Sequence, residues 1–404
     1  MSKRKTRRLK QVKVGARRWP AIVIAAAVAL CMLAAWTMLA RSGPWGPALK
    51  QSGEEEGTVS TQSFTVASRE YIYAGGRLIA TEQGGSGGVP GQGLAVFDIE
   101  ADAKTEIAYY RNGLWGILKS SQSYGYGTSQ FVSWGGAGLA PIVGDFDGDA
   151  KADIGYVVPP SGGNSAVYSI LLSTRGYSFA AGQPLYVSAG FPSLGDTPVV
   201  GDFDGDHKAD PSIWRSTQGL WFLQNSSASY GASFVSWGQN GDTPIVADFD
   251  GDGKSDIGFY RNGLWGILKS SQGYSLGSAQ FISWGGAGLP PIVGDFDGDG
   301  KADIAYVAPP ANGQSAVYSI LLSTRGYSFA AGQALFVPAG YPSLGDTPVV
   351  GDYDGDGKAD PGIWRSSQGL WIIPLSSSSN YSTNLYSQWG QSGDTALPSR
   401  LFEY

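Results

Sequence analysis

The stretch PIVGDFDGDGKAD, residues 291–303, places four aspartates in nine residues directly after a short apolar run. At neutral pH these carboxylates should repel one another strongly. The phrase nevertheless recurs five times in clear form and once in degenerate form, always with acidic residues at positions 1, 3, 5 and 9. We call these segments the acidic loops and number them one to six along the chain. They are residues 98–106, 145–153, 202–210, 248–256, 295–303 and 352–360.

The acidic loops belong to a longer internal repeat. Their first residues are spaced by 47, 57, 46, 47 and 57 residues, so a block of three units occurs twice, and the stretch at 165–183 returns unchanged at 315–333. Each unit is predicted to hold four short strands. In the first unit these begin with Glu106–Arg111, an Asn112-Gly113 turn and Leu114–Ser120. Repeats of this length with four strands predict an all-β fold, a β-propeller of six repeat units.

The acidic positions favour a bound cation, because four of them in each of six loops account for 24 of the 34 acidic residues. Four carboxylates and the carbonyl of position 7 form a set of hard oxygen ligands that suits calcium better than magnesium, which keeps its waters and a strict octahedron. Glycine at position 6, as in Gly253, Gly300 and Gly357, allows the positive φ of a tight turn. An EF-hand is excluded, since position 12 is never glutamate and the flanks are predicted strands.

The predicted calcium ligands are the acidic side chains at positions 1, 3, 5 and 9 and the carbonyl at position 7 of the last five loops. They are Asp145, Asp147, Asp149, Lys151, Asp153, Asp202, Asp204, Asp206, Lys208, Asp210, Asp248, Asp250, Asp252, Lys254, Asp256, Asp295, Asp297, Asp299, Lys301, Asp303, Asp352, Asp354, Asp356, Lys358 and Asp360. The first loop offers Asp98, Glu100, Asp102 and Glu106, and we expect it to bind weakly or not at all. Ala150 and His207 at position 6 predict strained turns in the second and third loops.

The pattern D-x-D-x-D-G-x-x-D, entered from an apolar strand, resembles the FG-GAP/VCBS repeat of integrin-α-type propellers across residues 93–404. The resemblance implies calcium in the loops, a ring that usually has seven blades, and a partner on the face opposite the calcium loops. Six blades fit the duplication of three units. A seventh blade could be composed of the segment at 63–82 and a C-terminal strand at 396–402. Residues 69–82 also resemble the repeat strands of Rhs/YD proteins, without their aspartate.

The N-terminal part of the chain predicts a membrane attachment. Nine of the 28 basic residues lie within residues 1–18, which the positive-inside rule assigns to the cytoplasm. The apolar segment at 19–40 is long enough to span a bilayer as a signal anchor, although a cleaved signal peptide would equally export the rest. We predict a flexible linker at 41–62, a β-hairpin segment at 63–92 and the propeller at 93–404, on the outer side of the membrane or secreted after cleavage.

Composition excludes several classes of function. After residue 18 the chain carries 19 basic against 34 acidic residues, which does not suit nucleic acid. The single cysteine, Cys31, allows no internal disulfide, and the single histidine, His207, makes histidine-based catalysis improbable. The repeated tryptophans are typical of packing between blades. We therefore expect a calcium-binding module for adhesion or ligand binding, with a carbohydrate-binding propeller as the alternative and a polysaccharide-active or phosphoester-active enzyme as the third reading.

Overall fold

The computed structural model describes residues 70–74, 77–82, 97–161, 164–182, 184–310, 315–330 and 334–397. Strands β1 (Glu70–Ala74) and β2 (Arg77–Glu82) form an antiparallel hairpin. The remaining strands are β3 (Ile107–Arg111), β4 (Leu114–Leu118), β5 (Gln130–Ser133), β6 (Pro141–Gly144), β7 (Asp153–Val158), β8 (Ala166–Leu171), β9 (Leu185–Gly190), β10 (Asp196–Gly201), β11 (Asp210–Arg215), β12 (Leu220–Asn225), β13 (Gly231–Ser236), β14 (Thr243–Ala247), β15 (Asp256–Arg261), β16 (Leu264–Leu268), β17 (Gln280–Ser283), β18 (Pro291–Gly294), β19 (Asp303–Ala308), β20 (Val317–Leu321), β21 (Ala334–Pro338), β22 (Asp346–Gly351), β23 (Asp360–Arg365), β24 (Leu370–Pro374), β25 (Asn384–Gln388) and β26 (Thr395–Leu397).

The helical elements in the described part of the chain are single 3₁₀ turns in the loops between strands. They are Ser120–Gln122, Tyr126–Thr128, Ser173–Arg175, Phe179–Ala181, Pro192–Leu194, Ser226–Ala228, Ser270–Gln272, Leu276–Ser278, Ser323–Arg325, Pro342–Leu344 and Ser379–Tyr381. In this same part of the chain, the structure contains no helix with the length and apolarity needed to cross a membrane. The predicted cytoplasmic segment, signal anchor and linker all lie outside the described residues and stay predictions.

Strands β3 to β26 form six antiparallel sheets of four strands, which are the blades of a propeller. In blades two to six the chain runs as a meander from the innermost to the outermost strand, beginning at β6, β10, β14, β18 and β22. Each blade takes its acidic loop directly before its second strand. The prediction of an all-β propeller with six repeat units is confirmed.

Blade one closes the ring, because its innermost strand comes from the other end of the chain. Strand β26 pairs with β3, with Thr395 opposite Tyr110, Ala396 opposite Tyr109 and Leu397 opposite Ala108. The alternative of seven blades is therefore wrong. The C-terminal strand completes a blade whose other three strands are β3, β4 and β5, so the described strands leave none over for a seventh blade.

The hairpin lies inside the ring and does not join a blade. The Cα atoms of β2 lie within 8 Å of β6, β10 and β14, and those of β1 approach β18 and β22. All five are the innermost strands of their blades, which line the centre of the ring. The hairpin of β1 and β2 is therefore central and not part of a composite blade.

Tryptophans join neighbouring blades, as predicted from their repetition. In blade four the buried Trp265 donates its indole N–H to the backbone oxygen of Trp284 at 2.8 Å. Trp284 in turn donates to the oxygen of Ser319 in blade five at 2.8 Å. The equivalent pairs are Trp115 with Trp134, Trp221 with Trp237, and Trp371 with Trp389. The indole rings therefore fill the seams while their N–H groups stay satisfied.

Candidate metal centres

The topology brings the six acidic loops to one face of the ring. Each loop lies at the same end of the second strand of its blade, and in blades two to six it connects that strand to the innermost one. The connection between the third and fourth strands lies on the same face, as a four-stranded meander predicts.

Position 1 organises each loop by accepting backbone N–H groups from positions 4 and 6. In the fifth loop Asp295 accepts from Gly298 at 2.7 Å and from Gly300 at 2.8 Å. Both glycines have positive φ, +78° and +80°, which turns their N–H groups toward the carboxylate. The sequence reasoning found the requirement at position 6 and missed the equal requirement at position 4.

At position 6 of the second and third loops, where strain was predicted, residues other than glycine adopt the same turn. Ala150 has φ +68° and His207 has φ +67°, and their N–H groups still reach the position-1 carboxylates at 2.8 and 3.0 Å. In the first loop Ala101 and Ala103 both adopt positive φ. The loop conformation is therefore common to all six blades, with strain in three of them.

The carboxylates of each loop converge closely enough to share one cation. In the first five loops, one oxygen from each of three side chains lies within 4.8 Å of the other two. The sets are Asp145, Asp147 and Asp153; Asp202, Asp204 and Asp206; Asp248, Asp250 and Asp256; Asp295, Asp297 and Asp299; and Asp98, Asp102 and Glu106.

An unpartnered oxygen at position 3 points to a ligand in three loops. Within the described residues, Oδ1 of Asp147, of Asp250 and of Asp297 is buried and has no hydrogen-bond partner. The other oxygen of each carboxylate accepts from a hydroxyl in the third connection, which for Asp147 is Thr174 at 2.5 Å. A buried carboxylate oxygen without a donor is costly, and a cation would satisfy it.

Position 9 ties the acidic loop to the third connection of the same blade. Asp303 is fully buried, and its Oδ2 accepts from the N–H of Phe296 at 2.8 Å. Its Oδ1 accepts from the N–H of Ser323 at 2.6 Å. The serines and threonines of this connection were missed by the sequence reasoning. The signal was present, because Ser-Ser or Ser-Thr stands after the third strand of every unit.

Burial and mutual repulsion raise the pKa of these carboxyl groups. Burial is the main cause, and it raises the pKa of Asp145 to about 7 and that of Asp153 to about 8. Repulsion from the neighbouring carboxylates adds to this increase, whereas backbone hydrogen bonds oppose it. The same causes raise the pKa of Asp295 to about 7 and that of Asp303 well above its usual value. Because these pKa values are raised, binding of a metal ion would compete with protonation of the cluster.

The first loop departs from the others at position 3. Lys119 lies 3.3 Å from the Glu100 carboxylate, which also accepts from the N–H of Ser121. Burial acts to raise the pKa of Glu100, but the hydrogen bonds from Ser121 and the charge of Lys119 lower it overall. The longer side chain is thus engaged by a lysine, and weak binding in this loop stays a prediction.

The donor set fits calcium, since it consists of carboxylate oxygens in each loop together with oxygens that lack donors in three of them. The position-7 lysine carbonyls stay predicted ligands, as do the individual side chains named in the sequence analysis. The exposed His207 lies in a turn of the third acidic loop.

A closed ring of six four-stranded sheets with repeated acidic loops defines a β-propeller repeat protein. The family model described as FG-GAP repeat matches residues 292–320, which run from β18 through the fifth acidic loop to β20. No curated protein matches this sequence.

Three solved structures are similar over most of the chain at low identity. They are an Agrocybe aegerita lectin described as recognising non-reducing terminal N-acetylglucosamine (14% identity, 83% of this chain, 91% of the other, TM-score 0.47), apo AztD from Citrobacter koseri (10%, 82%, 98%, 0.40) and the Pseudomonas aeruginosa periplasmic gluconolactonase PpgL (12%, 81%, 98%, 0.40).

Proposed function

We propose that this protein is a membrane-tethered, extracytoplasmic, calcium-binding propeller that acts as a binding or adhesion module and not as an enzyme. One observation carries the calcium assignment. The position-3 carboxylates of three loops each present a buried oxygen without a donor, beside two further carboxylates. Calcium takes six to eight oxygen ligands and tolerates irregular geometry, which such a loop can supply.

The ions would have a structural role in this proposal. In blades two to six each loop joins two strands of one blade, and the position-9 side chain, as at Asp303, also holds the third connection. Because four carboxylates and a backbone carbonyl would occupy most of the coordination sphere, little of it would stay open for a substrate. Binding of calcium would therefore fix the loop face of the ring.

Thermal unfolding with and without calcium tests the assignment. At about 2 mM calcium and a dissociation constant near 0.1 mM, each site adds about 1.8 kcal/mol, and five sites add at most about 9 kcal/mol. Chelation should lower the melting temperature by more than about ten degrees. Magnesium at the same concentration should restore little of it. An unchanged melting temperature would reject the calcium assignment.

The partner would bind the face opposite the acidic loops. That face carries the turns between second and third strands, such as Asn112-Gly113 and Asn262-Gly263. Loops on a rigid scaffold are a common place for recognition. A pull-down with the full chain, with and without chelator, would test this. If partners are captured only when no chelator is present, binding depends on the calcium-stabilised ring.

The tether rests on the sequence of residues 1–40 and is tested separately. Protease added to spheroplasts should digest residues beyond 41 if the propeller lies outside the membrane. Complete protection would reject the proposed location while leaving the calcium sites untouched.

A carbohydrate-binding role is the second candidate, and aromatic side chains at the seams favour it. Trp237 is half-buried and lies 5.8 Å, centroid to centroid, from Phe281 of the next blade, whose side chain is 58% exposed. Trp389 and Phe131 make the same arrangement at 5.7 Å. Exposed aromatic faces can stack on sugar rings.

A glycan array in the presence of calcium would test this second candidate. Phe131→Ala and Phe281→Ala should weaken glycan binding if the seams bind sugars. Phe234→Ala is the matched control, because Phe234 is equally exposed on β13 and its ring contacts Phe222 within its own blade. Equal losses in all three variants, or no glycan bound by the wild type, would reject the role.

A further inference from the structure

The acidic loops are joined to one another by a closed ring of backbone hydrogen bonds. The N–H of position 8 in each loop donates to the carbonyl of position 1 in the preceding loop, at 2.6–2.8 Å. The donor and acceptor pairs are Ala152 to Asp98, Ala209 to Asp145, Ser255 to Asp202, Ala302 to Asp248, Ala359 to Asp295 and Thr105 to Asp352. The last pair connects blade one to blade six, so the ring has no end.

A lysine adds a second link between neighbouring loops. The position-7 lysine of one loop lies over the position-4 glycine of the preceding loop, so closely that a Cβ on Gly205 would come within 2.6 Å of Lys254 Cε. The Lys254 ammonium donates to the carbonyl oxygen of Asp204 at 2.7 Å. The same lysine is thus predicted to offer its own carbonyl to one cation while its side chain holds the neighbouring loop.

A tyrosine in the third connection makes a third link. Six tyrosines at equivalent places have positive φ, between +53° and +62°, which is unfavourable for a bulky residue. They are Tyr124, Tyr177, Tyr230, Tyr274, Tyr327 and Tyr381. The surrounding structure must hold this strained conformation, and such strain often marks a functional position.

The hydroxyl groups of three of these tyrosines reach two loops at once. The hydroxyl of Tyr274 lies 2.8 Å from the Ser255 oxygen of its own loop and 3.4 Å from the Phe203 oxygen of the preceding one. The hydroxyl of Tyr124 lies 2.9 Å from the Thr105 oxygen and 2.7 Å from that of Tyr353, across the seam between blades one and six. Tyr327 lies in the same way against Ala302 and Phe249.

We propose that the acidic loops bind calcium as one coupled ring, with Tyr124, Tyr274 and Tyr327 as positioning residues that pass the change in one loop to the next. The proposal rests on the calcium assignment above. Positions 1 and 9 are predicted ligands, and the three links attach to the backbone at positions 1, 2, 3 and 8. Ordering one loop around its ion therefore places the carbonyl and N–H groups that order its neighbour.

The first loop gains a role in this proposal although we expect it to bind calcium weakly or not at all. Thr105 and Tyr124 connect it to the sixth loop, and Asp98 accepts from the second loop. The first loop would keep the coupled loops continuous across the seam between the two ends of the chain.

Native mass spectrometry of the full chain, titrated with calcium alone, tests the coupling because it counts the ions on each molecule. With five independent sites, about 60% of molecules at half saturation carry two or three ions. Coupling of about tenfold between neighbours lowers that fraction to about 40% or less and enriches molecules with none, four or five. A distribution of the independent kind overturns the coupling and leaves the calcium assignment intact, whereas the absence of bound calcium overturns both.

The double variant Tyr274→Phe and Tyr327→Phe tests the tyrosines themselves. It should bind the same number of ions with a distribution shifted toward independent sites. Tyr260→Phe is the matched control, because its hydroxyl bonds to Gly286 on the opposite face. The control should lose comparable stability and keep the coupled distribution. If the double variant also keeps it, or if the control loses it equally, the tyrosines have no positioning role; should the double variant fail to fold, each single variant is measured in the same way.

Discussion

At the scale of single residues, position 6 of the acidic loops allows backbone strain to be changed without changing a predicted calcium ligand. The second and third loops hold Ala150 and His207 at positive φ, whereas the fifth holds Gly300 with no atom within 4 Å of the place a Cβ would take. Adding a Cβ at Gly300 therefore adds backbone strain without a steric clash. Removing one at Ala150 relieves the same strain.

Exchanging these residues should change calcium affinity in opposite directions. Ala150→Gly and His207→Gly should tighten binding at their own loops, and Gly300→Ala should weaken it, each by about threefold to fivefold for a cost near 1 kcal/mol. Calorimetric titration of the three variants measures this. If Ala150→Gly leaves affinity unchanged and only raises the melting temperature of the calcium-free protein, the turn is already formed before the ion binds and the expectation is wrong.

The buried carboxyl groups also predict how stability depends on pH. The pKa of Asp145 rises to about 7 and that of Asp153 to about 8, above the unfolded value of 3.8, because burial disfavours the charged form. The stability that these protonated groups contribute is complete below about pH 4 and is lost as pH rises through 7 to 8. Without calcium, the melting temperature should therefore fall between pH 5 and pH 8.

Calcium should reverse much of this loss, since it replaces the protons. The difference in melting temperature with and without calcium should be larger at pH 8 than at pH 5, and differential scanning calorimetry at both values would measure it. A difference that shrinks as pH rises would contradict the assignment of these groups as ligands.

How far the sequence predicts the site depends on how far apart the partners lie. The carboxylate positions and the turn at position 6 are local, so spacing and residue type sufficed. The serine that holds position 9 lies 20 residues away in the fifth unit, from Asp303 to Ser323, and only the meander brings it back. Left-handed tyrosines such as Tyr274 gave no sequence signal, because their conformation is imposed by tertiary contacts.

At the scale of strands and turns, four arginine–aspartate pairs secure the face opposite the acidic loops. Arg261, at the end of β15, binds Asp242 through two parallel hydrogen bonds of 2.5 and 2.7 Å, and the carboxylate is fully buried. The other pairs are Arg111 with Asp394, Arg215 with Asp196, and Arg365 with Asp346. From the sequence, the arginine of the repeated RNGLW motif has the character of an ordinary surface residue. Its partner was not predictable, because it precedes the innermost strand of the blade.

The pair in blade one should matter more than the same pair in blade four. Arg111 and Asp394 have the same bond lengths as Arg261 and Asp242, but they join the two ends of the chain, 283 residues apart. Replacing the arginine leaves the buried aspartate without its ion-pair partner, at a cost of about 3 kcal/mol in either blade. In blade four the chain that connects β13 to β14 still holds Asp242 in place. In blade one, strand β26 can separate from β3.

Hydrogen exchange on Arg111→Ala and Arg261→Ala would distinguish the two cases. Amide exchange at Thr395–Leu397 should accelerate more in Arg111→Ala than exchange at Thr243–Ala247 does in Arg261→Ala. Equal acceleration in the two strands would show that the pair does not secure the closure of the ring.

At the scale of the whole molecule, the number of blades was the feature that sequence could not determine. The repeats predicted six units, but whether the ring has six or seven blades depends on where the short strand β26 pairs. That pairing joins residues 285 positions apart, Thr395 with Tyr110, and no local pattern specifies it. The structure resolves the choice because β3 lacks an inner neighbour until β26 arrives, and Ala396 and Leu397 are buried there.

Ending the chain after Asp394 should therefore open the ring, whereas ending it after Leu397 should not. The first truncation removes β26, exposes the edge of β3 and leaves blade one with three strands, which favours aggregation through the free edge. We expect a melting transition that is lower and broader than that of the full chain, and a larger radius of gyration by X-ray scattering. The second truncation keeps all three register pairs of β26 and serves as the control, with melting and radius close to those of the full chain. Identical behaviour of the two truncations would mean that the innermost strand of blade one contributes little to closure, and that contacts between blades hold the ring without it.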